Sequence, residues 1–271
     1  MIQPKNAITL GSAQFGMDYG LTNKKGKVEE KEAIEIIRKA ILLNFEYIDT
    51  AAAYGSSEKI IGKALSSTLD NNIKIITKLI PFDEISKQQN NKIYWKSLVE
   101  NSILKSFNNL NVKKIDTIML HRASHLKNPF IIDELLRLRN KKLFKNIGVS
   151  IQSTQELEFS LKADYLSIIQ IPVNILDYRW DIFIDEIKKI KQRRQLKIHA
   201  RSVFLQGLLI DNKEKNWLKA NVKEYLSIQD WMLKKKKDFN CKSTKSLCVR
   251  YINGLNWIDS MVIGVETLEQ L

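Results

Sequence analysis

The sequence predicts a single-domain (β/α)8 TIM barrel of the α/β class. Three observations carry that expectation. Short β-rich runs alternate with longer amphipathic stretches eight times along 271 residues, and such alternation argues for a parallel sheet. Most of the short runs are apolar at successive positions, as strands buried on both faces are. The early segment "GSAQFG" (11–16) lacks the G-x-G-x-x-G spacing that the runner-up, a doubly wound open sheet, would place after its first strand.

The elements follow in order. "AITLGSAQF" (7–15) reads as the first strand, and 29–44 as a helix with apolar residues at helical spacing. "EYIDTA" (46–51) is the second strand, followed by helix 57–65. Strand 73–79 precedes helix 95–110, and strand 115–121 precedes helix 129–144, which Pro129 opens. Strand 146–150 leads to helix 153–162, where Ser153 and Glu156 have capping-box spacing. Strand 166–173 is followed by helix 181–195. After strand 197–204 a polar stretch leads to helices near 222–237 and 243–253. "SMVIGV" (260–265) is the eighth strand, and "TLEQL" (267–271) opens the last helix, so the chain is expected to end within it. No linker or break in composition divides residues 1–271, which read as one domain.

Bulk properties narrow the class. No apolar run reaches the roughly 18 residues of a membrane span, and the N-terminus lacks the order of a signal peptide. A cytoplasmic protein without membrane insertion is expected. Cys241 and Cys248 stand seven residues apart. If one helix holds both, roughly 10 Å of rise separates them, too far for a disulfide, and no histidine lies near them to suggest a metal. The net charge of +14 would suit an anionic ligand or nucleic acid. The lysines are spread along helix faces, and no nucleic-acid motif accompanies the one dense run, Lys234 to Lys237. Nucleic acid is therefore not an expected partner; a monomer or small homo-oligomer acting on a small molecule is.

Barrels of this class keep their chemistry at the C-terminal ends of the strands. Asp49, Lys78 and His121 end the second, third and fourth strands, and Tyr54 stands in the loop after Asp49. Each alone has an ordinary explanation as a surface or turn residue. Together they have a chemical logic. An ammonium beside a phenol favours the phenolate, a carboxylate keeps that ammonium charged in a partly dry pocket, and an imidazole can orient a carbonyl oxygen. The set suits reduction of a C=O with the tyrosine as general acid. The hydride must come from a cofactor.

At these residues the chain resembles the aldo-keto reductases. "LGSAQFG" (10–16) is similar to the family's first-strand signature. "DTAAAYGSSEKIIGKAL" (49–65) is similar to its D-T-A-x-x-Y-G-x-S-E-x-x-I-G-x-A-L block at every fixed position. "ITKL" (76–79) and "IMLHR" (118–122) resemble the lysine and histidine segments. The resemblance implies the barrel, NADPH or NADH as cofactor, and a tetrad of Asp49, Tyr54, Lys78 and His121. By position it implies cofactor contacts at Gly11, Ser12, Asp49, Ser150, Gln170, Arg201, Ser202, Phe204, Gln206, Gly264, Val265 and Gln270. Arg201 stands where many members stack an aromatic ring. Gly264, Val265 and Gln270 stand where many place Lys, Ser and Arg around a 2′-phosphate, which leaves the choice between NADPH and NADH open. Tyr19, Arg122, Arg179 and Trp180 are candidate substrate contacts. The branch resembled is one associated with bacterial surface carbohydrates, so a keto-sugar or an anionic sugar derivative is a candidate substrate. Two alternatives use the same barrel: a Schiff-base lyase or aldolase built on Lys78, and a cofactor-sensing regulatory subunit with little turnover.

Overall fold

A computed structural model describes residues 6–66, 72–82 and 91–271. Eight parallel strands close into a barrel in sequence order: β1 (Ala7–Gly11), β2 (Tyr47–Asp49), β3 (Lys74–Lys78), β4 (Ile115–Leu120), β5 (Phe144–Ser150), β6 (Leu166–Pro172), β7 (Lys197–Arg201) and β8 (Ser260–Gly264). The helices are α1 (Ala13–Gly16), α2 (Glu30–Leu42), α3 (Ser57–Ser66), α4 (Lys92–Leu110), α5 (Pro129–Asn140), α6 (Thr154–Leu161), α7 (Ile184–Arg193), α8 (Glu214–Lys219), α9 (Tyr225–Asp238) and α10 (Thr244–Gly254). β1 pairs with β8 from Ala7↔Ser260 to Gly11↔Gly264, which closes the barrel.

Local chemistry sets the helix ends. Asn91 and Asn128 accept hydrogen bonds from the first free N–H groups of α4 and α5, and Pro129 occupies the first turn of α5, where its missing N–H costs nothing. Ser153 and Glu156 form the predicted reciprocal cap of α6. Left-handed asparagines follow α2, α4, α8 and α9 at Asn44, Asn111, Asn221 and Asn240, the conformation that ends a helix.

Several boundaries differ from the sequence expectation. The first strand stops at Gly11, and residues 13–16 turn into the short helix α1. The polar stretch after β7 contains α8, whose Trp217 is buried and donates from Nε1 to the Asp211 carbonyl. Residues 268–270 form turns where a helix was expected to open. Cys241 precedes α10 and Cys248 lies within it; both are free and buried.

Strand side chains alternate between two cores. Ile48, Ile75, Ile118 and Ile169 face the helices. Their neighbours Tyr47, Ile76, Met119 and Ile168 form a separate cluster inside the barrel. Two residues further along, the same parity gives Asp49, Lys78, His121 and Gln170. The pattern that builds the inner core therefore places these four on the layer above it, at the C-terminal mouth.

Candidate active site

The centre of the mouth is a buried ion pair. Lys78 Nζ lies 2.6 Å from Asp49 Oδ2, with the side chains 1% and 5% exposed. Lys78 also donates to the Thr50 carbonyl at 3.0 Å. The other Asp49 oxygen, Oδ1, accepts from Gln170 Nε2 at 2.8 Å. Burial opposes the Lys78 charge, but the Asp49 carboxylate and the Tyr54 phenol overcome it and hold the ammonium above its usual range. The lysine is therefore a fixed cation, which a nucleophilic amine could not be.

Tyr54 stands over this pair. Lys78 Nζ lies 5.1 Å from its ring centroid, and the His121 ring meets it edge-on at 5.8 Å. His121 Nδ1 is buried without a hydrogen-bond partner. Burial first, then the positive charges of Lys78, Arg122 and Arg201, push the imidazole down to about 3, so it is neutral at physiological pH. A neutral imidazole, a phenol and a fixed cation thus share one mouth.

The loop carrying Tyr54 is held by its neighbours. Tyr54 N–H donates to Ala51 O, and Ser57 N–H donates to Tyr54 O, each at 3.0 Å. Ser57 Oγ reaches Ser12 Oγ at 2.8 Å and Thr50 Oγ1 at 3.0 Å, while Ser12 Oγ donates to Asp49 O at 2.8 Å. Gly16 and Gly55 cross backbone to backbone. A Cβ on Gly16 would lie 1.7 Å from Tyr54 O, and one on Gly55, at φ +54°, would lie 2.2 Å from Gly16 O. Gly16→Ala must push this loop off its seat. We expect about 3 kcal/mol of destabilisation, seen as a lowered Tm, together with loss of whatever activity depends on Tyr54.

The remaining candidates fall into groups. Ser150, the last residue of β5, and Gln170, two residues before the end of β6, are register partners, and Arg201 ends β7. Arg201 donates to the Ile151 carbonyl at 2.7 Å and to Ser202 Oγ at 3.3 Å, and its Nε is buried without a partner. The loop beyond it is unusual. Ser202, Leu205, Gln206 and Gly207 all have positive φ, and a side chain on Gly207 would strike Thr22 Oγ1. The N–H groups of Leu205 and Gly207 donate back to Ser202 O and Phe204 O, at 2.8 and 3.0 Å, so the segment is a tight turn that leaves the Gln206 side chain exposed. Phe204 is half-buried, and its carbonyl accepts from Gly207 and Leu209. Gly11 packs against Val262 and the Gly264 backbone, and a side chain on Gly264 would meet the Gln14 amide. Val265 is buried, and Gln270 Oε1 closes its own turn by accepting from Glu266 N–H at 2.7 Å.

Tyr19 is 37% exposed. Burial, followed by Tyr54, raises its hydroxyl above the usual range against the pull of Arg201 and Lys78. Arg122 is exposed, and its charge acts on both His121 and Arg201. Arg179 and Trp180 are engaged elsewhere. Trp180 is fully buried and donates from Nε1 to Asp177 Oδ2 at 3.1 Å, while Arg179 lies over its ring at 4.8 Å and pairs with the same carboxylate.

Sequence reasoning missed three parts of this arrangement: the Gln170–Asp49 bond, the Ser12–Ser57–Thr50 hydroxyl chain, and buried Glu58, which accepts from Thr77 Oγ1 at 2.7 Å and Asn109 Nδ2 at 3.1 Å. Strand parity could have put Gln170 on the mouth, though it does not name Asp49 as its partner. Among the described residues no group of His, Cys, Asp or Glu could hold a metal ion, and no helix is long and apolar enough to cross a membrane.

A second histidine gives a pH test. His199 lies inside the barrel, 5.0 Å from the Tyr47 ring centroid, with both ring nitrogens unpartnered. Burial, helped by Lys197, pushes it from 6.5 down to about 3. The unfolded chain binds a proton between these pH values that the folded chain refuses. This stability is complete above pH 6.5 and is lost as pH falls toward 3, at about 2 kcal/mol by pH 5. The Tm should fall over that window, and His199→Phe should flatten the fall.

The model of the "Aldo/keto reductase family" matches residues 7–271. An uncharacterized oxidoreductase of Bacillus subtilis, YqkF, is 23% identical over 97% of this chain and 87% of its own. The D-arabinose 1-dehydrogenase of Saccharomyces cerevisiae is 31% identical over 53% of this chain and 42% of its own. Among solved structures, the holo form of the aldo-keto reductase AKR11C1 from Bacillus halodurans matches 97% of this chain and 83% of its own, with a TM-score of 0.71 at 19% identity. The glycerol dehydrogenase AKR11B4 from Gluconobacter oxydans matches the same shares with a TM-score of 0.71 at 21% identity.

Proposed function

The chain belongs to the aldo/keto reductase family, an oxidoreductase family using nicotinamide cofactors on small carbonyl compounds, and from that premise we propose that it reduces an aldehyde or ketone to an alcohol with Tyr54 as proton donor. The observation that carries this reading is the Lys78–Asp49 pair, buried and 5.1 Å beneath the Tyr54 ring centroid, with neutral His121 against the same ring. The Schiff-base alternative is disfavoured by the same pair, because it keeps Lys78 protonated.

The chain offers donors and acceptors suited to a dinucleotide. Gln170 spends its amide nitrogen on Asp49 and keeps its oxygen to accept from a carboxamide. Ser150 stands beside it in register, and Arg201 keeps a buried, unspent Nε–H. The tight loop of Ser202, Phe204 and Gln206, in which Ser202 and Gln206 are left-handed, would offer the Ser202 hydroxyl and the exposed Gln206 amide to a diphosphate. Gly11, Ser12, Gly264, Val265 and Gln270 complete the proposed cofactor wall. Gly264, Val265 and Gln270 bring no cation, so the reading includes NADH as well as NADPH.

The cofactor, when bound, supplies the hydride. The chain's residues manage the oxygen. His121, neutral at physiological pH, orients the carbonyl. Tyr54 gives its proton to the oxygen as negative charge builds there, and Lys78 stabilises the phenolate left behind. Asp49 holds Lys78 in place and charged, and Gln170 holds Asp49. Tyr19 and Arg122 line the substrate side, and their polarity suits a polyhydroxylated or anionic sugar derivative. The names of the yeast and Gluconobacter proteins point the same way.

The test is loss of dihydronicotinamide absorbance when the protein is given NADH or NADPH with aldehydes, ketones, aldoses and keto-sugars. Turnover on at least one carbonyl is expected. Tight cofactor binding with no turnover on any would favour a cofactor-sensing subunit.

A further inference from the structure

We propose that the cavity at the foot of β4 and β5 is a binding site for a compact multivalent phosphate, of the diphosphate class. Lys114, Arg139, Lys142, Phe144 and Lys145 line this cavity of about 330 Å³. That volume falls at the lower end of small-ligand sites, roughly 300–1,000 Å³. It is a half-open depression with Lys114, Lys142 and Lys145 themselves exposed, and its small volume suits a compact anion better than a duplex or a folded partner. Lys114 immediately precedes β4, and Lys145 is the second residue of β5. The cavity therefore opens at the end of the barrel opposite Asp49 and Lys78.

Its charge is local and unbalanced. Four of the five lining residues are cations and none is an acid. Among the described residues, none of the four pairs with a carboxylate. Elsewhere lysines do find carboxylates, as Lys63 does with Glu30, Lys74 with Glu46 and Lys191 with Asp259. In a chain of net charge +14 many cations lie without a carboxylate; what sets these four apart is that they converge on one cavity.

Helix electrostatics explain only part of the cluster. Arg139 and Lys142 lie at the C-terminal end of α5, where cations meet the negative end of the dipole. Lys114 and Lys145 arrive from two strands and gain nothing from that dipole. Lys142 has a left-handed backbone, φ +61°, and closes the helix with its N–H on Arg139 O at 2.8 Å. Glycine or asparagine usually fills that position; lysine accepts strain there and adds a cation. Arg139 is fixed by one N–H on the Tyr165 carbonyl at 3.2 Å, leaving further donors in its planar fork for phosphate oxygens.

The test is NMR of the full chain titrated with inorganic pyrophosphate at constant ionic strength, in the presence of saturating NADH or NADPH. Saturable amide shifts at residues 142–146 are expected. The variant Lys114→Gln/Lys142→Gln/Lys145→Gln should bind at least tenfold more weakly at that site. The control Lys234→Gln/Lys235→Gln/Lys236→Gln, on α9, should bind as the parent does. Unsaturable shifts matched by sulfate, or equal affinity in the cavity variant, would overturn the proposal. So would response only to a polyglutamate peptide or to duplex DNA. The readout does not depend on carbonyl turnover, so failure here and failure of the reductase reading are separate results.

Discussion

Replacing Tyr54 with phenylalanine should lower kcat for carbonyl reduction by about 10²- to 10⁴-fold, the usual worth of a positioned general acid. The substitution removes one oxygen and keeps the ring. The edge-on contact with His121 and the position above Lys78 are ring contacts, so the loop should hold its shape. Cofactor affinity and Tm should therefore stay close to the parent values while turnover collapses. Parallel measurement of kcat, cofactor Kd and Tm checks this. Equal turnover by both proteins would remove Tyr54 as the acid and leave His121 to be tested by the same substitution logic.

The second large effect is expected at the ion pair. Asp49→Asn leaves a Lys78 ammonium that is 1% exposed with the Thr50 carbonyl as its remaining anchor. Breaking a buried pair from one side costs about 3–5 kcal/mol, because the surviving buried charge has lost its counter-charge. Lys78→Met strands Asp49 in the same way, with Gln170 still donating to it. The double variant removes both charges and should regain much of the stability lost by either single one, a strongly non-additive cycle. Activity should not return with it, since the charge that supports the phenolate is gone. Recovery of turnover along with stability would make the pair purely structural.

How far the site was legible depended on whether backbone geometry fixed the side chain's direction. Asp49, Lys78 and His121 were legible because they end strands, and alternation then leaves one inward direction. Gln170 follows the same parity, yet its bond to Asp49 joins residues 121 positions apart, and nothing local announces it. Loops lack that rule. Trp180 and Arg179 stand a few residues beyond β6, but Trp180 turns into the core, while Arg179 stays exposed, lies over its ring and pairs with Asp177. The barrel order was legible because each apolar run needed two covered faces. Helix α8 was not, because a six-residue helix carries too few turns for periodicity to register.

The most direct test of the central claim follows the hydride itself. The protein would be given an aldehyde with NADH or NADPH carrying deuterium at the transferable position, and the alcohol product analysed by mass spectrometry. Deuterium on the carbinol carbon from the parent protein, with its appearance slowed at least hundredfold in Tyr54→Phe, is the predicted result. Product formed without the label, or a borohydride-trapped adduct on Lys78, would contradict the account.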